Sequence, residues 1–86
     1  MSTNLVYYPA PKPKKRSLAK GLKYIISQRA WGHDGMLAGE AIEIGYEWAD
    51  FLNGVHAATS DGSIRESVVE LLSAISTHGS VYIELE

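Results

Sequence analysis

The sequence predicts a small α+β domain of order β-α-α-α-β, with three helices packed on a short two-stranded sheet made by the first and last strands. Three observations lead there. Asn4–Tyr8, NLVYY, is a β-branched and aromatic run. Ser80–Glu86, SVYIELE, alternates, with Val81, Ile83 and Leu85 on one face and Tyr82, Glu84 and Glu86 on the other. Between them, apolar residues recur at three- and four-residue spacing in three stretches. An isolated strand is unstable in water, so the two runs are expected to pair, most simply antiparallel. With 86 residues and no internal repeat, residues 1–86 make one domain, and only 9–16 reads as a linker-like arm.

The first strand stops at Pro9, and Pro11 and Pro13 favour extended backbone after it. Ser17 is placed to cap a first helix over Leu18–Trp31, closed by Gly32. Its apolar face is Leu18, Leu22, Ile25 and Ile26. Arg16, Lys20, Lys23 and Ser27 form a polar stripe on the far side, bordered by Tyr24 and Trp31.

Asp34 is placed to cap a second helix over Gly35–Leu52, ended by Asn53-Gly54. Leu37, Ala41, Ile44, Trp48, Phe51 and Leu52 would form its apolar face, with a small-residue row at Ala41, Gly45 and Ala49. Glu40, Glu43, Glu47 and Asp50 would form an acidic stripe opposite, with Tyr46 nearby. Val55–Gly62 reads as a loop. Ser63 and Glu66 then form a capping box for a third helix over Ile64–Thr77, which buries Ile64, Val68, Leu71, Leu72 and Ile75 and ends at His78-Gly79.

Composition narrows the function. There is no cysteine, which excludes disulfides and thiolate metal sites and fits a reducing, cytoplasmic setting. No apolar run approaches the length of a transmembrane helix, and the basic run follows the short apolar one, the wrong order for a secretory signal. The net charge of −2 hides a strong asymmetry. Residues 1–33 hold seven of the eight Lys/Arg and no acid; residues 34–86 hold Arg65 and all ten acids, giving +7 and 1 − 10 = −9.

The motifs of common chemistries are missing. His33, His56 and His78 are dispersed, without ligand spacing. No serine lies in a G-x-S-x-G elbow, and there is no Walker or Rossmann glycine pattern. Glu40, Glu43 and Glu47 would need burial or crowding to act as an acid–base pair, and a solvated stripe offers neither. The expectation is therefore no enzyme, no cofactor and no metal.

What remains is binding. Lys14, Lys15, Arg16, Lys20 and Lys23 beside Tyr24 and Trp31 form one candidate surface; Glu40, Glu43, Tyr46, Glu47 and Asp50 form another. The expected partner is another protein. Segregated charge on a small motif-free chain suits an inhibitor or adaptor of the kind phage and mobile elements carry, anti-CRISPR-like or antitoxin-like by analogy of size and character. The alternative is a weak, salt-sensitive nucleic-acid binder using the basic arm and first helix. Self-association of the two charged surfaces is a further option, and a membrane partner is not expected because the core needs the first helix's apolar face.

Overall fold

The protein, seen in a computed structural model, is described over residues 5–9, 15–33, 35 and 40–85. Strand β1 (Leu5–Tyr8) leads to β2 (Arg16–Ser17), helix α1 (Leu22–Trp31), strand β3 (Ala41–Gly45), a 3-10 turn (Tyr46–Trp48), helices α2 (Ala49–Ala58) and α3 (Gly62–His78), and strand β4 (Ser80–Leu85). The α+β class and the antiparallel pairing of first and last strands are as expected, but the sheet has four strands in the order β2-β1-β4-β3.

β4 is central. It runs antiparallel to β1, with Leu5 opposite Leu85 and Tyr8 opposite Tyr82, and to β3, with Ile44 opposite Val81 and Gly45 opposite Ser80. The alternation of SVYIEL then decides burial: Val81 and Ile83 are fully buried, whereas Tyr82 and Glu84 lie on the other face. With Leu5, Tyr7 and Ile44 they form the sheet's side of the core, opposite Leu22, Ile26, Leu52, Val68, Leu71 and Ile75 from the helices.

The two extra strands correct two helix boundaries. Ser17 does not cap α1; it lies in β2, opposite Val6. The Leu18 N–H donates to the Leu5 carbonyl at 2.7 Å, so sheet pairing takes a donor that a helix starting at Leu18 would have left unpaired. The Ala19 N–H is taken by the Ser67 hydroxyl of α3 at 2.9 Å, and the helix begins three residues later. Arg16 and Lys20 therefore precede the helix, and the polar stripe of Arg16, Lys20, Lys23 and Ser27 does not exist. Ser27 is fully buried, its hydroxyl satisfied by the Lys23 carbonyl one turn back at 2.5 Å. Gly32 closes α1 at φ 76°, where its missing Cβ is needed.

The larger correction concerns the expected helix over Gly35–Leu52. Ala41–Gly45 is a strand, Tyr46–Trp48 a 3-10 turn, and α2 begins at Ala49 and continues through Asn53-Gly54 to Ala58. β-branched Ile42 and Ile44 point inward at a two-residue period that the sheet satisfies better than a helix would. The acidic stripe is therefore not a helix face, and Ala41, Gly45 and Ala49 make no small-residue row. Most of Val55–Gly62 is likewise helical; only Thr59–Asp61 connects α2 to α3. The Asp34 cap, Leu37, Pro11, Pro13 and Lys14 lie outside the described residues, as does Glu86.

The cap of α3 also lies two residues earlier than expected. Asp61 Oδ1 accepts from the Ser63 N–H at 2.8 Å and the Ile64 N–H at 3.3 Å, which replaces the Ser63–Glu66 capping box. Its carboxylate also complements the positive end of the helix. The other end is as expected, with Gly79 at φ 85°. Asp61→Ala should therefore lower stability by about 0.5–2 kcal/mol. Ser63→Ala should cost less than about 0.5 kcal/mol, because the cap uses its backbone N–H. Urea midpoints of the two variants test this, and a reversed order would overturn the assignment.

Candidate functional site

An apolar concavity lies between α1 and the start of α2. Tyr24, Ile25, Gln28 and Arg29 line one side, and Phe51 of α2 lines the other, around about 510 Å³. The helix supplies these four because positions i, i+1, i+4 and i+5 share one face. Trp48 and Phe51 meet edge to face at 5.5 Å, and the Arg29 guanidinium lies 5.2 Å from the Trp48 ring centre and 4.8 Å from that of Phe51. Arg29 thus covers the aromatic pair with a planar cation, a contact that holds its side chain in place without using its N–H donors. Tyr24 is 55% exposed, an unusual position for a large ring, and the Lys23 ammonium sits 5.4 Å from its centre. No acid occurs among residues 15–33, so the α1 side of the groove, with Lys23 and Arg29, is cationic.

Other residues expected at a binding surface are placed differently. Trp31 is half-buried, packs against the core and stacks with His33 at 6.3 Å. Lys15 is ion-paired with Glu84, and the Arg16 Nη1 meets Glu70 Oε1 at 3.2 Å. The charge blocks that are separate in sequence are therefore partly joined across the β1–β2 edge. Glu43 accepts from the Ser80 hydroxyl at 2.8 Å, and Glu47 from the Gly45 N–H at 3.3 Å. Tyr46 is 63% exposed, its hydroxyl 3.4 Å from the Ser76 carbonyl. Asp50 is exposed in the first turn of α2, and Glu40 lies just before β3. Lys23 and Arg29 thus lie at the groove, whereas Glu43, Glu47 and Asp50 lie along β3, the turn after it and the start of α2.

Arg29 and Phe51 were not singled out in the sequence as binding residues. The signal available was Arg29 one helical turn beyond Ile25, on a helix without acids; its stacking on two aromatics from residues 48–51 depends on how the two segments pack. A second concavity of about 420 Å³, lined by His56, Arg65, Glu66, Val69, Glu70 and Ser73, lies on the other side of α2 against α3, but its lining is mixed in charge. Among the described residues no group of His, Asp and Glu could hold a metal, and no helix is long and apolar enough to cross a membrane.

On the sheet face away from the helices, Tyr8 stacks on Tyr82 at 5.7 Å, donates to Glu84 Oε2 at 3.3 Å and faces the Lys15 ammonium at 5.8 Å. Burial, reinforced by the Glu84 charge and its hydrogen bond and opposed by Lys15, raises the Tyr8 phenol above its usual 10.0. Tyr7, on the core face, is raised by burial and by Glu70, against the opposing charge of Arg16. The folded state thus holds both phenolic protons more tightly than the unfolded chain does. This stabilisation is intact below pH about 10 and is lost as pH rises through the folded-state values. Tyr8→Phe should flatten the alkaline loss of stability, read as melting temperature between neutral pH and pH about 11; an unchanged alkaline slope would disprove the linkage.

Comparison with protein-family models, with curated proteins and with solved structures gives no match to this chain.

Proposed function

We propose that this is a small non-enzymatic binding protein that docks on another protein, as an inhibitor or adaptor, through the groove between α1 and Phe51. The observation that carries this reading is Tyr24, a ring 55% exposed at the rim of an apolar groove whose base is held by Arg29 stacked on two aromatics. Tyrosine and arginine beside a concave apolar surface are the residue types that concentrate binding energy at protein interfaces. The cationic flank of Lys23 and Arg29 favours a partner surface that is acidic around an apolar anchor, and would speed encounter with it. A catalytic role has less support. Glu43 and Glu47 are both exposed, and they accept from the Ser80 hydroxyl and the Gly45 N–H. The inhibitor reading, of anti-CRISPR or antitoxin kind, rests on size and charge pattern.

A second reading, weak binding of nucleic acid, is favoured by the Lys23–Tyr24 pair, which combines a stacking surface with a cation. It loses ground because Lys15 and Arg16 of the basic arm are paired with Glu84 and Glu70.

Affinity capture from the native host with the parent chain, with Tyr24→Ala and with Arg29→Glu distinguishes these readings. The parent should retain a specific protein. Each variant should weaken that complex about tenfold or more, while the melting temperature stays within a few degrees for Tyr24→Ala. Equal capture by parent and both variants would sink the groove as the contact surface. Binding to plain DNA or RNA that falls steeply with salt and is lost in Lys20→Gln/Lys23→Gln would support the second reading instead.

A further inference from the structure

We propose that the outer edge of β3 is a strand-addition site that accepts an extended segment of a partner protein in which basic residues alternate with β-branched ones. The surface is separate from the α1 groove and does not depend on it.

The hydrogen-bond parity of the sheet decides which backbone groups are open. The Leu18 N–H donates to the Leu5 carbonyl, so Leu5 and Tyr7 turn their polar groups toward β2. Val6 and Tyr8 then face β4 and engage Glu84 and Tyr82, which leaves Val81 and Ile83 to engage Ile44 and Ile42. Alternation finally turns the N–H and C=O groups of Ala41, Glu43 and Gly45 away from the sheet. The Gly45 N–H confirms this independently, because it is met from outside by the Glu47 carboxylate. That bond closes one end of the edge. Ala41 and Glu43 are exposed, and β3 has no strand on its outer side among the described residues. Two donors and two acceptors therefore line an open edge, the feature that edge-strand recognition uses.

Side chains narrow the occupant. Glu43 lies on the sheet face away from the helices, and neither it nor Glu47 has a cationic partner among the described residues. A lysine or arginine directly opposite Glu43 would supply one. On the other face, Ile42 is half-buried at the margin of the core, where an opposing valine, isoleucine or threonine would extend the apolar layer. Because side chains alternate along a strand, basic and β-branched positions fall in one segment at a period of two. The exposed Tyr46 ring stands at the end of the edge as an anchor. A second copy of this chain fits less well: the antiparallel register that pairs all of β3 with another β3 sets Glu43 against Glu43, a like-charge pair that opposes self-addition.

The test is an amide NMR titration of the full chain with an acetylated, amidated peptide, Thr-Lys-Val-Lys-Val-Lys-Thr, and with its Glu-for-Lys counterpart. The lysine peptide should shift the Ala41, Glu43 and Tyr46 amides and slow exchange of the first two, and the glutamate peptide should do neither. Glu43→Pro removes an outward N–H and the carboxylate that the peptide lysine and the Ser80 hydroxyl meet, but no backbone bond to β4, so it should keep the fold and abolish the effect. Should that variant misfold, Glu43→Lys reads the same point and should transfer preference to the glutamate peptide. No shift at Ala41 and Glu43 with millimolar lysine peptide would overturn the proposal. So would shifts confined to Tyr24 and Arg29, or shifts that appear on raising protein concentration alone and so identify a second copy. Tyr24→Ala should leave the peptide response intact, which separates failure here from failure of the groove.

Discussion

Everything in this fold depends on the insertion of β4 between β1 and β3. It alone joins the β1–β2 hairpin to β3, and it supplies Val81 and Ile83 to the centre of the core. A six-residue strand whose apolar and polar positions alternate is enough because both its edges are used: Tyr82 and Glu84 bond to β1 while Val81 and Ile83 bond to β3. A one-residue slip would carry both apolar side chains to the wrong face, so the core itself holds the register. α3 delivers the strand, since Gly79 at φ 85° turns the chain from the helix directly into Ser80.

The two proposed contact surfaces follow from this arrangement. With β4 in the centre, β3 is left at the margin, where its outward groups meet solvent. With the helices on one face of the sheet, Arg29 of α1 meets Trp48 and Phe51 where the 3-10 turn leads into α2. Lys23 and Arg29 lie at the groove, and Glu43 and Glu47 lie at the margin. The charge blocks of the sequence are joined at the β1–β2 edge, where Lys15 and Arg16 meet Glu84 and Glu70.

The parts of the fold that were legible in the sequence are those where one local signal acts alone. The β-branched runs at Leu5–Tyr8 and Ser80–Leu85, the apolar spacing of α3 and the glycines after α1 and α3 all have unopposed readings. Ala41–Gly45 does not. Ala41, Ile44, Trp48 and Phe51 are spaced like a helix face, while Ile42 and Ile44 are spaced like a strand face. The choice between them was made by the open side of β4, which lies more than thirty residues later. Ser17 and Asp61 show the same competition at single residues. Ser17 has the chemistry of a cap but was taken by pairing with β1, and the cap of α3 fell to Asp61, whose carboxylate reaches two N–H groups. Of the site, Tyr24 and Tyr46 were recognisable as rings displaced from apolar faces. Arg29 and Phe51 become partners only when α1 meets α2, and no local spacing encodes that.

The central position of β4 also bears on how the chain is made. Synthesis runs from β1 toward β4, so every other element is finished while the slot between β1 and β3 is still empty. During that interval the growing chain presents two unfilled strand edges beside exposed leucine and isoleucine side chains, and the segment that fills them must close contacts between Leu5 and Leu85. A neighbouring nascent chain carries the same Val-Tyr-Ile-Glu-Leu segment and fits the same slot. Exchange of this strand between copies is therefore the misassembly that the topology invites.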